Sequence, residues 1–267
     1  MKGRRMIVFS DIDGTLLEHG TVDYRNALSG LELLRHLAVP LVPVSSKTFG
    51  EMEAFCRELG LDGPFAFENG AGIALPIDGG GYRTEIAGRG VVDLRSFIPA
   101  IEAAAGTRVE TLPDMPLDEL IEYTGLSRDG ALLAKDRRAS LPFVAGKERR
   151  LSREAVAAME TMLAEKGLTA PWGGKFHQLR DTRATKEGAV QWITKFFADG
   201  SGTIPLTVGI GDSENDFGML DAVDRAYLVR SGISGIDYSK VPYRVTDSTG
   251  PAGFTEAVRH ACGSDPR

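Results

Sequence analysis

Met6-Ile7-Val8-Phe9-Ser10-Asp11-Ile12-Asp13-Gly14-Thr15-Leu16-Leu17 places two carboxylates directly after a short apolar run. Residues 6–9 suit a buried parallel strand, because a strand covered on both faces reads as a continuous apolar segment. Asp11 and Asp13 then emerge together where the strand ends and the chain turns. Two acids at such a mouth attract a hard divalent cation such as Mg2+, which takes carboxylate oxygens together with water and substrate phosphate. One of them can also attack phosphorus and carry it as an aspartyl-phosphate. The same segment therefore points to a parallel α/β sheet and to phosphoryl transfer.

Working outward, strand and helix patterns alternate: a helix over 26–37, a strand over 41–44, a helix over 49–59 and a third strand over 65–67. The rhythm returns late, with a helix over 186–197, strands over 206–210 and 226–229, a short helix over 216–222 and a closing helix over 252–260. Such alternation implies parallel strands joined by crossover helices. Between the two lies a stretch of different texture, with weak strands over 82–86, 141–145, 168–171 and 175–179 and helices over 91–104, 116–123 and 152–166. The expected organisation is an α/β core made of 1–81 and 180–267, with an inserted α+β domain over 82–179. Hinges are expected at Asp78-Gly79-Gly80-Gly81 and around Arg180-Asp181-Thr182-Arg183, where the backbone can absorb domain closure.

The balance of 42% apolar and 25% charged residues over 267 positions is that of a globular protein with a substantial core. A net charge of −6 gives no general attraction to nucleic acid or anionic membrane, which leaves a small molecule as the expected partner. No apolar stretch reaches membrane-spanning length. The two cysteines, Cys56 and Cys262, lie far apart with no metal-ligand spacing, which fits a reducing cytoplasm. The sequence does not reveal the oligomeric state.

Three further segments carry chemistry. In Gly209-Ile210-Gly211-Asp212-Ser213-Glu214-Asn215-Asp216 an acid again follows an apolar run, so Asp212 can complete a metal site begun by Asp11 and Asp13 at the shared carboxyl edge of the sheet. The competing explanation is that Asp212 or Ser213 only caps the next helix. In Val42-Pro43-Val44-Ser45-Ser46-Lys47-Thr48 a strand ends in hydroxyls before a helix, which suits a phosphate as well as it suits an N-cap. Lys186 opens a helix, where the dipole disfavours a cation, and so calls for an anion, although a solvated lysine is the commoner explanation.

Taken in order, Asp11-x-Asp13-Gly14-Thr15, Ser45, Lys186 and Gly211-Asp212-x-x-Asn215-Asp216 resemble the four motifs of the haloacid dehalogenase superfamily of phosphatases. The resemblance implies a Rossmann-like core with a C2B-type cap, since the insertion falls between the second and third motifs, as in type IIB members. It makes Asp11 the nucleophile and Asp13 the general acid and base, with Ser45, Ser46 and Lys186 on the phosphate. Asp11, Asp212 and the Asp13 carbonyl would hold Mg2+, with Asn215 and Asp216 orienting their surroundings.

Within that subgroup the chain is similar to the mannosyl-3-phosphoglycerate phosphatases, through Ser45-Ser46-Lys47-Thr48, Glu68-Asn69-Gly70-Ala71-Gly72, Ala134-Lys135-Asp136-Arg137-Arg138 with Leu141-Pro142-Phe143, and Gly173-Gly174-Lys175-Phe176-His177. Leu141 stands where that family commonly has Glu, and Thr185-Lys186-Glu187-Gly188 replaces its Asp-Lys-Gly. The implied substrate is a small phosphorylated sugar acid, whose carboxylate needs cations beyond those on the phosphate. Lys47, Arg137, Arg138, Lys175 and Arg180 are candidates, with His177 as a hydroxyl or carboxylate partner and Glu68 and Asn69 for sugar hydroxyls. Each also has an ordinary explanation: a solvated face, a locally satisfied histidine, or an Asn-Gly turn. A broad Cof-like sugar-phosphate phosphatase and a non-catalytic sensor of phosphorylated ligands are the alternatives.

Overall fold

β1 (Met6–Ser10) is apolar along its length because both faces are covered. Ile7 and Phe9 pack on one side with Val42, Val190, Ile193 and Met219, while Val8 packs on the other with Leu31, Leu34, Met52 and Phe254. In the computed structural model, which describes residues 5–146, 150–199, 202–232 and 235–263, the chain continues through α1 (Leu28–His36), β2 (Leu41–Pro43), α2 (Phe49–Leu59), β3 (Phe65–Phe67), β4 (Gly72–Pro76) and β5 (Tyr82–Ile86). The insertion follows as α3 (Val91–Arg95), α4 (Ile98–Ala105), β6 (Val109–Thr111), α5 (Leu117–Thr124), α6 (Arg128–Lys135), β7 (Ser140–Ala145), α7 (Arg153–Ala164), β8 (Leu168–Thr169) and β9 (His177–Asp181). The chain then runs through α8 (Lys186–Asp199), β10 (Leu206–Gly211), α9 (Phe217–Asp221), β11 (Arg225–Arg230), β12 (Arg244–Thr249) and α10 (Gly250–Ala261).

The main sheet is parallel, in the order β12-β11-β10-β1-β2. From β1 the chain moves outward to β2, and from β10 it moves the other way to β11 and β12. The carboxyl ends of β1 and β10 therefore flank the point where strand order reverses, which is where open α/β sheets leave a crevice. Asp11 and Asp212 follow those two ends.

The expected third parallel strand behaves differently. β3 touches β2 through a single parallel bridge, Val44 to Ala66, and pairs antiparallel with β4, which pairs antiparallel with β5. Glu68, Asn69 and Gly70, at φ of 51°, 60° and 83°, reverse the chain so tightly that the return strand lies beside β3 and no crossover helix intervenes. The Gly79-Gly80-Gly81 segment, expected as a hinge, is the turn between β4 and β5. Residue 82 falls inside this meander, and Arg180 and Asp181 fall inside β9 of the cap sheet. The first expected boundary thus separates β5 from its partner β4 and the second cuts β9, whereas edges at Gly88 and Arg183 leave both ladders whole.

The cap is a four-stranded antiparallel sheet, β6-β7-β9-β8. Leu141, Phe143 and Ala145 of β7 pack with Ile101, Met159 and Leu163 on one side, and Val144 with Leu112, Leu120 and Phe176 on the other. The single helix expected over 91–104 is two, α3 and α4. Pro99 sits in the first turn of α4, and an uninterrupted helix would drive its ring into the Arg95 carbonyl. β4, β6, α6 and β12 are elements the sequence patterns do not announce.

Several contacts latch the cap to the core. Thr48, which caps α2 in a capping box with Glu51, also donates its hydroxyl to the Leu133 carbonyl at 2.9 Å. Arg137 donates to the Ser46 carbonyl at 3.0 Å, and Arg138 lies 4.0 Å over the Phe49 ring. The Glu68 carboxylate accepts from the Arg138 and Ala139 amides and the Ser140 hydroxyl at 2.8, 3.1 and 2.6 Å.

Gly70 is where the core tolerates no side chain: a Cβ there would lie 2.2 Å from the Thr185 carbonyl oxygen, beside the start of α8. With the left-handed backbone added to this clash, Gly70→Ala is expected to lower unfolding free energy by at least about 2 kcal/mol in urea titrations. A midpoint equal to that of the parent protein would contradict this packing.

Candidate active site

Lys186, the first residue of α8, is 4% exposed and lies between two carboxylates. Its Nζ donates to Asp11 Oδ1 at 2.5 Å and to Asp216 Oδ1 at 2.6 Å. Asp216 has no exposed surface, and its Oδ2 accepts from the Asp212 amide and from the Ser213 amide and hydroxyl, each at 3.0 Å. Both oxygens of Asp216 are thereby committed to holding Lys186 and the turn after β10. Ser213 does cap the short helical turn that follows, while Asp212 is left to face Asp11. Asp11, Asp212 and Asp216 each offer a carboxylate oxygen within 4.8 Å of the others.

One ammonium among these acids leaves a buried excess of negative charge. Burial raises the Asp11 carboxyl most, Lys186 opposes it, and Asp216 and Asp13 add to the rise, so the group is pushed up to about 8. Burial likewise lifts Asp212 to about 7, with Asp216 adding and Lys186 opposing. Burial pulls Lys186 down, but Asp11 and Asp216 more than offset it and hold the ammonium above its ordinary value. Raised, crowded carboxylates are the signature of a pocket that a bound cation would relieve.

Ser45 and Ser46 occupy the turn after β2, beside the β3–β4 reversal: the Ser45 amide donates to the Ala66 carbonyl, and the Glu68 and Asn69 amides donate to the carbonyls of Lys47 and Ser45. Because Thr48 caps α2, the hydroxyls of Ser45 and Ser46 are not used as N-caps. Asp13 is partly exposed and pairs with Lys47 Nζ at 3.0 Å. A cavity of about 490 Å3 opens over these groups, with Asp11, Asp13, Ser46, Asn69, Asp212 and Asn215 on the core side and Trp172, Gln178 and Arg180 on the cap side. Asn215 Nδ2 donates to Asn69 Oδ1 at 2.9 Å, joining the β10 loop to the reversal after β3.

No model of a known protein family matches the chain. A glucosyl-3-phosphoglycerate/mannosyl-3-phosphoglycerate phosphatase of Persephonella marina, however, is 34% identical over 234 residues, 84% of this chain and 84% of the relative. The chain belongs to this phosphatase family. A Synechocystis sucrose-phosphatase superposes with a TM-score of 0.63 at 16% identity, over 97% of this chain and 98% of the other. A subclass IIB sugar phosphatase of the haloacid dehalogenase superfamily gives 0.62 at 17%, over 96% and 99%. The fold is that of a haloacid dehalogenase core with its cap, and the family to which the chain belongs is one of phosphatases.

In this phosphatase Asp11, Asp13, Ser45, Ser46, Lys186, Asp212, Asn215 and Asp216 all gather at the switch point. Several cap candidates lie elsewhere. Along β9, His177, Leu179 and Asp181 are buried while Gln178 and Arg180 face the cavity, as strand alternation requires. His177 therefore packs into the cap, stacked on Phe143 at 5.3 Å, with Nδ1 3.2 Å from the Ala170 carbonyl and its pKa lowered by burial. Lys175 donates to the carbonyls of Tyr123 and Thr124, closing the end of α5. Glu68, Arg137 and Arg138 serve the core–cap latch described above, which removes Glu68 from any sugar contact. Sequence reasoning missed His19, Trp172, Gln178 and Ser231; the parity of Arg180 was the available signal for Gln178.

Because Asp11 and Asp212 keep protons in the folded chain well above the ordinary 3.8, the folded state binds more protons than the unfolded one between about pH 4 and 8. Their contribution to stability is complete below the lower bound and is lost as pH rises through the upper. In a chelating buffer, the unfolding free energy of Asp11→Asn is expected to fall less with pH between 5 and 8 than that of the parent, by up to about 1.4 kcal/mol per pH unit. Buried His177 acts in the opposite sense, equally in both proteins, and cancels in the comparison. Parallel pH profiles in urea unfolding would contradict the raised Asp11.

Proposed function

We propose that this phosphatase is a Mg2+-dependent phosphomonoesterase that works through an aspartyl-phosphate on Asp11 and acts on mannosyl-3-phosphoglycerate or glucosyl-3-phosphoglycerate. The products would be the free glycosylglycerate and phosphate. The observation that carries the chemistry is the buried Lys186 shared by Asp11 and Asp216 at the switch point. A buried ion pair of this kind adds little net stability, so its placement beside a solvent-reachable carboxylate is best explained by the reaction.

In this scheme Asp11 attacks phosphorus and the bond from phosphorus to the glycerate oxygen breaks. Asp13 delivers a proton to that oxygen. Asp13 then takes a proton from water as the water attacks the aspartyl-phosphate, so that phosphate leaves and Asp11 is restored. Lys186 and the turn at Ser45 and Ser46 hold the phosphate oxygens, and Asp216 keeps Lys186 aimed. Mg2+, held by Asp11, Asp212 and the Asp13 carbonyl, would supply the charge that lets a phosphate dianion approach a carboxylate.

The choice of substrate rests on the relative's name and on the cap wall. Arg180 is largely buried, donates from Nη1 to the Ala184 carbonyl, and among the described residues its Nε has no hydrogen-bond partner and no carboxylate pairs with it. Burial accordingly pulls its pKa down. A cation so placed, facing the cavity over Asp11, suits the glycerate carboxylate. Lys47 offers a second charge beside Asp13, and Trp172, Gln178 and Asn69 offer an apolar face and polar groups for the sugar. Among the described residues no helix is long and apolar enough to cross a membrane, and Cys56 and Cys262 are free thiols; we place the reaction in a reducing cytoplasm.

Phosphate release from a panel of substrates tests this reading. The two glycosyl phosphoglycerates are expected to exceed hexose phosphates by at least about tenfold in kcat/KM, and the reverse order would leave only a general sugar phosphatase. Asp11→Asn should lose at least about 10^3-fold in kcat with the fold intact, and comparable turnover would remove the aspartyl-phosphate. Arg180→Met is expected to raise KM about 10- to 100-fold for the glycerate-bearing substrates while changing hexose phosphates about threefold or less. A uniform effect on both classes would deny Arg180 the carboxylate.

A further inference from the structure

The segment between β1 and α1 carries His19, a side chain for which the reaction scheme has no task. His19 Nε2 lies 2.9 Å from Asp212 Oδ2 and 3.4 Å from Ser231 Oγ. One ring thus joins the segments that follow β1, β10 and β11, and it lines the cavity beside Asp11 and Asp13. Gly14 makes the room. It sits at φ +82°, and a Cβ there would fall 2.3 Å from His19 Nε2 and 2.6 Å from Asp212 Oδ2. The glycine between Asp13 and Thr15 is therefore required by this contact as well as by the turn it makes.

We propose that His19 is a positioning residue for Asp212. It donates its Nε2 proton to Oδ2, fixes the rotation of the carboxylate and leaves the remaining oxygen for the cation. The backbone side of Asp212 is held independently, through the bond from its amide to Asp216, so the ring and Asp216 clamp the residue from two directions. A carboxylate fixed before the cation arrives binds it without first losing rotational freedom, and removing such an outer partner typically weakens metal affinity about 10- to 100-fold. The proposal rests on the reading of Asp11 and Asp212 as cation ligands.

The test measures Mn2+ binding to the full-length protein at fixed pH, from the electron paramagnetic resonance of free Mn2+, without reference to turnover. His19→Phe keeps a ring and loses the donor, while His19→Gln keeps a donor at the end of the side chain. His19→Phe is expected to weaken Mn2+ about 10- to 100-fold and His19→Gln to stay within about threefold of the parent. Should circular dichroism show that the Phe variant does not fold, His19→Ala takes its place as the donor-less form. Parent-like affinity in the donor-less variant, or equal weakening in the Gln variant, overturns the positioning role while leaving the phosphatase reading intact. A parent protein that does not bind Mn2+ overturns this proposal together with the Mg2+ assignment.

Discussion

The Lys186 ammonium is the point on which three separate segments converge. It opens α8, where the aligned peptide dipoles of the helix already place positive charge, and it is almost entirely out of water, so without anions it would be doubly unfavourable. Asp11 at the end of β1 and Asp216 after β10 supply them. Neither acid is comfortable alone: both are buried, and the one ammonium between them does not cancel the charge they share with Asp212. Each group is held in place because removing any of the others would leave an uncompensated charge in a poorly solvated pocket. The strand order makes this possible, since only at the switch point do the ends of β1 and β10 meet with no intervening strand.

The cap is tied to the same turns, after β2 and β3, that line the cavity on the core side. Ser46 presents its carbonyl to Arg137, Thr48 its hydroxyl to Leu133, and Glu68 its carboxylate to the residues that lead into β7. Glu68 is buried, at a positive φ, and its carboxylate is held by three donors of the cap, two backbone amides and the Ser140 hydroxyl. Moving the cap away would expose those amides and strand that carboxylate. These hydrogen bonds hold the wall formed by Trp172, Gln178 and Arg180 opposite the turn at Ser46.

What the sequence made legible and what it hid divide along a physical line. The core motifs are short and local: a strand end fixes where Asp11 and Asp212 emerge, and a helix start fixes Lys186, so residue spacing carries most of the geometry. The cap contacts depend on tertiary partners that spacing does not encode. Lys175 and Arg137 look like free cations in the sequence, yet each closes an orphan carbonyl of a neighbouring segment. The Gly-rich run at 79–81 has the composition of a hinge, but its place between two strands that pair residue by residue from Pro76↔Tyr82 makes it a hairpin turn. Glu68-Asn69-Gly70 likewise carries a turn signal, and that turn decides the direction of β4.

The clearest case is β9, where one rule arbitrates between two candidates. His177 and Arg180 both look like substrate partners in the sequence, but they lie three residues apart on a strand, and an odd separation puts them on opposite faces. Only one can meet the cavity. The face shared by His177 with Leu179 is the apolar one, packed against Phe143 and Leu163; the imidazole there is held by stacking and one carbonyl, and its Nε2, like Arg180 Nε, has no hydrogen-bond partner among the described residues. The opposite face keeps Arg180 beside Gln178, with a buried guanidinium nitrogen lacking a partner. An arginine tolerates that deficit poorly, because it cannot shed its proton as histidine can. The polarity of a single short strand thereby decides that Arg180, and not His177, is the one of the two that faces the cavity.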